Sequence, residues 1–166
     1  MQDYNWSKFS LRIYINSDLA KIYYLWTTQD GLEQWFLRKA ETANPDKSIR
    51  NRETHMQKDD TFVWMWHGWG DELAEHGTVL EANGENYLKF TFGKAGTVNV
   101  KLSSKAGASL IELTQENIPL DEKSKVNYHL GCNTGWRFYM VNLKSIVEGG
   151  IDLRNKDVNL KTVVNS

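Results

Sequence analysis

The hydrophobic pattern changes period twice along this chain, and a fold that ignores either change cannot bury its apolar residues. Ser7 to Asn16 alternates, with Phe9, Leu11, Ile13 and Ile15 on one face and Ser10, Arg12, Tyr14 and Asn16 on the other. Successive side chains of an extended backbone point to opposite faces, so this is a half-buried strand. The period then turns helical. Ser17 or Asp18 is placed to cap a helix with a side-chain oxygen, and Leu19, Ile22, Tyr23 and Trp26 fall at i, i+3, i+4 and i+7. Asp30 is expected to cap a second short helix through Leu32, Trp35 and Phe36, with Gly31 interrupting the two.

From Leu37 to Asn117 the period returns to two. The candidate strands are Leu37–Ala43, Ile49–Gln57, Thr61–Gly70, Glu72–Ala82, Tyr87–Phe92, Thr97–Ser103 and Ser109–Glu116. Asn44-Pro45-Asp46, Asp59-Asp60, Asn83-Gly84, Gly93 to Gly96 and Ala106-Gly107 supply turn residues between them. Such short connections imply antiparallel neighbours. From about Glu122 the pattern is helical again, with Val126, Leu130, Trp136, Met140, Leu143 and Val147 on one face and Gly149-Gly150 as the stop. Gly131 and Gly135 inside this helix each cost about 1 kcal/mol relative to Ala, so they mark a bend or a close approach. The two short helices cannot cover one whole face of so long a sheet, and the C-terminal helix is the remaining element able to do so. The fold class is α+β: a curved antiparallel sheet wrapped around a long C-terminal helix, with two short helices after the first strand. It is read as a single domain over residues 1–150, followed by a polar C-terminal tail over 151–166.

Composition narrows the function. Lys and Arg number 20 against 21 Asp and Glu, a net charge of −1, whereas a nucleic-acid binder needs a basic surplus to displace counterions. The longest apolar runs fall far short of the ~20 residues of a membrane span. Cys132 is the one cysteine, so no internal disulfide can form; with no signal-peptide pattern at the start of the chain, a cytoplasmic location is expected. His55, His67, His76 and His129 show no ligand spacing, and no Walker, Rossmann or G-x-S-x-G pattern occurs. No metal site and no cofactor is expected from these motifs. The unusual feature is 7 Trp, 7 Tyr and 6 Phe against 2 Pro.

Several segments resemble one known family. Ile22-Tyr23-Tyr24-Leu25-Trp26-Thr27-Thr28, followed by Gly31-Leu32-Glu33-Gln34-Trp35-Phe36, resembles a "V-W-x-x-L-T … L-x-x-W-F" opening. Gly77 to Ala82 resembles a "G-x-V-L-E" strand, Tyr87 to Phe92 an "L-x-F-T-W" strand, and Leu110 to Gln115 a final strand. Gly135-Trp136 with Leu143 resembles a closing "G-W-x-x-x-L-x-x-L" helix. In this order they are similar to the activator of heat-shock protein 90 ATPase homologue family, of the START-like (polyketide cyclase and lipid-transport) superfamily. The resemblance implies the helix-grip fold over roughly Lys8 to Gly150. That fold hosts binders, transporters, cyclases and co-chaperones, so it does not determine function. The eukaryotic activators carry a further N-terminal domain that takes part in chaperone binding. Six residues precede the first strand here, so co-chaperone activity is not expected to carry over intact, and little stimulation of the chaperone's ATP turnover is expected.

The densest constellation is Thr61 to Trp69, where Phe62, Trp64 and Trp66 share one strand face and Val63, Met65, His67 and Trp69 the other. Leu88, Phe90 and Phe92 form a second aromatic face, and Gln115 shares a face with Ile111 and Leu113. A buried amide on an apolar face needs partners, either a neighbouring side chain or the polar end of a ligand. Asp71, Glu72, Glu75 and His76 read as an exposed charged turn rather than paired acids. In a helix-grip domain the concave face lines the cavity. The candidate ligand-cavity residues are therefore Trp64, Trp66, Phe90, Phe92, Gln115, His129, Trp136 and Met140. The expected function is non-catalytic binding of a small, largely hydrophobic molecule between sheet and helix, with Trp66→Ala weakening binding more than His76→Ala. The alternatives are a co-chaperone-like module with a possible chaperone contact and, third, a cyclase-type enzyme. A cavity of about 300 Å³ or more favours the binder or the enzyme, and a filled interior favours the module.

Overall fold

Alternation is enough to form the first strand, β1 (Phe9–Ile15), whose apolar set faces inward while Ser10, Arg12 and Tyr14 face out. The computed structural model describes residues 4–166. Six further strands follow: β2 (Lys39–Ala43), β3 (Thr61–Met65), β4 (Glu75–Ala82), β5 (Tyr87–Thr91), β6 (Thr97–Lys105) and β7 (Ala108–Glu116). They form one antiparallel sheet in the order β1-β7-β6-β5-β4-β3-β2. Helices α1 (Leu19–Thr27) and α2 (Gln29–Trp35) link its two edges. A short turn of helix, α3 (Glu122–Ser124), leads through a π-helical segment, Lys125–Leu130, into α4 (Gly131–Val147). The fold is α+β, with the core between the concave face of the sheet and α1, α2 and α4.

Asp18 caps α1 by accepting from the Lys21 amide. The second cap is Thr28, whose hydroxyl accepts from the Gly31 amide; Asp30, the expected cap, sits inside the first turn of α2. Gly31 does not separate the helices. It lets α2 close on α1, since a Cβ there would strike the Tyr24 carbonyl and lie 2.7 Å from Leu25 Cα.

Residues 49–57 do not form a strand. They make one bridge, Ala43 to Ile49, and otherwise follow turns. Tertiary hydrogen bonds hold this loop instead: the Met56 amide donates to the Thr27 carbonyl, and the Gln29 side chain donates to the Arg50 carbonyl. Arg50 makes a two-pronged pair with the fully buried Asp60, at 2.6 and 2.7 Å. The expected strand Thr61–Gly70 stops at Met65, and a tight turn, Asp71–Leu73, precedes β4.

The long helix also departs from its pattern. Val126 and Leu130, expected to point inward, are 58% and 48% exposed, whereas Trp136, Met140 and Leu143 are buried. The wide π turn between them rotates the face, so His129 is the buried residue of that segment. Gly149, in the left-handed region at φ 86°, ends the helix as expected.

Beyond α4 the chain has no helix or strand, yet it is fastened. Arg154 is buried and donates to the carbonyls of Glu33, Gln34 and Leu37 at the end of α2, and it pairs with Asp152. Asn142 donates to the Asp152 side chain, and its own carbonyl oxygen accepts from the Leu153 amide. Lys161 donates to the Gly68 carbonyl, and Ser166 lies against Gly68.

Candidate functional site

The concave face is mostly filled by its own rings. Phe62 stacks on Trp64 at 4.0 Å between centroids, and Trp64 meets Phe90 edge-on at 5.1 Å. Phe62 has room because its cross-strand partner is Gly77, where a Cβ would enter the ring. From the helices, Trp26 packs on Trp35 at 4.6 Å, and Phe36 stacks on Trp136 at 5.0 Å. Trp64, Phe90 and Met140 are thereby buried in the wall and floor.

Gln115 is buried and fully engaged. Its carbonyl oxygen accepts from the Trp136 indole N–H at 2.9 Å, and its amide donates to the Ala95 carbonyl at 2.9 Å. It positions Trp136, and both ends of its amide are held by protein partners. His129 lies elsewhere, beneath the start of β1. Its Nδ1 is 2.8 Å from the Trp6 carbonyl and its Nε2 is 2.8 Å from the Tyr4 hydroxyl, with Phe9 against the ring.

The open space lies at one end of this wall. A crevice of about 230 Å³ runs between Phe36, Trp66, Phe92, Gly135, Trp136 and Tyr139. It adjoins a wider groove of about 1250 Å³ lined by Trp66, Trp69, Leu73, Glu75, Phe92, Tyr128 and Cys132 among others. Of the eight candidate residues, Trp66 and Phe92 border both spaces and Trp136 borders the crevice. Gly135 helps to keep it open, since nothing lies within 4 Å of where its Cβ would be.

Trp69, Leu73, Glu75, Tyr128, Cys132 and Tyr139 were not among the candidates. Strand parity placed Trp69 on the opposite face, but the strand ends at Met65 and parity ends with it. Glu75 was grouped with Asp71 and Glu72 as an exposed turn; those two are exposed, whereas Glu75 opens β4 opposite Trp64 and is half-buried. His76 also borders the groove, so it no longer serves as a remote control for binding.

Burial raises the Glu75 carboxyl above its ordinary range, with the His76 backbone amide opposing. Burial also raises the Cys132 thiol, with a hydrogen bond to the Gln115 side chain opposing. The Tyr139 hydroxyl is pushed up to about 12, again by burial. The indole N–H of Trp64 is buried without a hydrogen-bond partner among the described residues. No three His, Cys, Asp or Glu side chains among the described residues gather where a metal ion could sit. No helix among them is long and apolar enough to cross a membrane.

A sheet curved around a terminal helix, with an aromatic space opening at one end of the contact, defines a START-like helix-grip domain. A sequence model for "Activator of Hsp90 ATPase homolog 1-like protein" matches residues 16–148, and the chain belongs to that family. No curated protein matches it significantly in sequence. Among solved structures, the Aha1 dimer from Colwellia psychrerythraea is 17% identical, with a TM-score of 0.67 over 86% of this chain and 97% of that one. Protein SSP2350 from Staphylococcus saprophyticus is 12% identical, with a TM-score of 0.67 over 89% of this chain and 96% of the other. CalU16 from Micromonospora echinospora is 13% identical, with a TM-score of 0.61 over 86% of this chain and 76% of that one. At these identities the likeness concerns the fold.

Proposed function

We propose that the protein binds a small, largely hydrophobic molecule, without converting it, in the crevice and groove beside Trp136. One observation carries this reading: Trp66 and Phe92 line both the wide groove and the adjoining crevice that reaches the Trp136 ring. Stiff aromatic walls are what an apolar ligand needs, with Glu75, His76, Lys94 and Asn127 as the polar groups of the groove. In this reading Trp66, Phe92 and Trp136 touch the ligand, and Trp64, Phe90, Gln115 and Met140 hold them in place. The domain spans residues 1–150, and the segment from 151 to 166 acts as a strap beside the mouth. A cytoplasmic setting agrees with the single unpaired cysteine.

The test is a titration of fatty acids, sterols and flat aromatics followed by tryptophan fluorescence. At least one class should quench saturably and be recovered unchanged by mass spectrometry. Trp66→Ala should weaken its binding about tenfold or more, the scale of a lost aromatic contact. Ile49→Ala, at an exposed residue away from the groove, should not. If no class saturates, the reading fails.

Family membership, together with an interior mostly filled by its own rings and an inner crevice of about 230 Å³, favours a second reading, a protein-interaction module that acts on a chaperone. Its test is ATP turnover by purified heat-shock protein 90 with and without this protein. A several-fold rise would put this reading first.

A further inference from the structure

Nearly every partly buried acid among the described residues has a cation. Asp60 pairs with Arg50, Asp30 and Glu33 with Arg52, Asp152 with Arg154, and Glu116 with Lys8 and Lys89. Glu75 stands apart. It is half-buried, borders the aromatic groove, and makes no ion pair with any described residue. Its charge is steadied by the backbone amide of His76 and, to a smaller extent, by the His76 imidazole on the groove's rim. Its carboxylate lies over Gly93, where a Cβ would sit 3.0 Å from the carboxyl carbon, so the glycine makes room for it. Gly93 has φ 47°, a left-handed conformation in which other residues are strained. Lys94, on the same rim, is exposed and forms no ion pair with Glu75.

A carboxylate taken partly out of water without a counter-ion is costly, and burial is the main cause of its raised carboxyl pKa. A cationic group arriving with a ligand relieves that cost through a charge-assisted hydrogen bond. Nearby Trp66, Trp69 and Tyr128 offer ring faces that attract the same charge. Resting on the binding reading above, we propose that the groove's ligand is a flat aromatic cation, an amine carried on an apolar ring system, with its positive end against Glu75 and its rings against Trp66 and Phe92.

A matched series tests this at pH 7: 9-(aminomethyl)anthracene, 9-anthracenemethanol and 9-anthracenecarboxylate, each titrated by its own fluorescence. The amine should bind about tenfold or more tightly than the alcohol, the scale of a hydrogen bond to a charged group, and the carboxylate should bind most weakly. Glu75→Gln, an isosteric change at a half-exposed position, should bring amine and alcohol within about threefold of each other. The wild-type ranking stands as a test even without the variant. If the alcohol binds and the amine gains nothing, or if the gap survives Glu75→Gln, the inference fails while the groove reading stands. If none of the three binds the wild-type protein and the broader panel is also silent, both fail together.

Discussion

The Gln115–Trp136 hydrogen bond is the hinge of the interior, and a double-mutant cycle measures it. Trp136→Phe keeps a ring near Phe36 and Trp26 but removes the indole N–H, so the buried Gln115 oxygen loses the donor it has at 2.9 Å. An unpartnered buried acceptor costs about 1–3 kcal/mol. The smaller ring vacates the space of two or three methylenes, at about 1–2 kcal/mol more. We expect a loss near 3 kcal/mol for Trp136→Phe, and about 3–5 kcal/mol for Trp136→Ala, which empties the site. Gln115→Leu strands both the Trp136 N–H and the Ala95 carbonyl, and should cost about 2–3 kcal/mol. The double variant strands Ala95 alone, so the penalties for the stranded Gln115 oxygen and Trp136 N–H both drop out, and its loss should fall short of the sum by about 2–4 kcal/mol. Urea unfolding followed by circular dichroism, extrapolated linearly to water, reads all four corners of the cycle. A coupling below about 0.5 kcal/mol would refute the reasoning, because the two groups would then be independent. A loss below about 1 kcal/mol for Trp136→Ala would show that the helix face is misassigned.

Two glycines should respond in opposite directions. Gly135→Ala meets nothing within 4 Å and should raise stability by up to about 1 kcal/mol in thermal unfolding. Gly31→Ala drives a methyl into the backbone of α1 and should cost about 1–3 kcal/mol. Asp152 gives a pH signature. Burial pushes its carboxyl up, but hydrogen bonds from Arg154 and Lys156 outweigh burial and hold it below the ordinary range. A depressed carboxyl stabilises the fold at all pH values above the ordinary range and loses that effect as pH falls. Asp152→Asn should therefore lower Tm at pH 7, and the gap to the wild-type protein should close as pH drops below about 4.

The sheet was legible where one face is buried and the other wet. β1 and β7 alternate so regularly that Phe9, Leu11 and Ile15 on one strand and Ile111, Leu113 and Gln115 on the other could be assigned inward from sequence, and all six are buried. The loop at 49–57 defeated the same rule, because its order comes from distant partners such as Thr27 and Asp60, which leave no local period. Val126 and Leu130 were misplaced because counting in steps of 3.6 assumes an unbroken helix, and a π turn shifts the count by one residue. The aromatic floor of the site followed from alternation. Its open rim did not, since Trp69 and Glu75 flank an irregular connection where neither period applies.

The order of strands in the sheet also bears on synthesis. β2 to β7 each pair with the strand before or after them, so hairpins can close as the chain emerges. β1 is the exception: Phe9 lies opposite Gln115, a separation of about a hundred residues whose loop-closure entropy must be met before the pairing gains anything. The first strand made is thus the last one seated, and it finds its partner only after β7 exists. Until then Phe9, Leu11 and Ile15 form an apolar edge on a nascent chain, interrupted by Ser10 and Arg12. An arrested or truncated translation product that ends before residue 108 keeps those apolar residues unpaired and open to association with other chains.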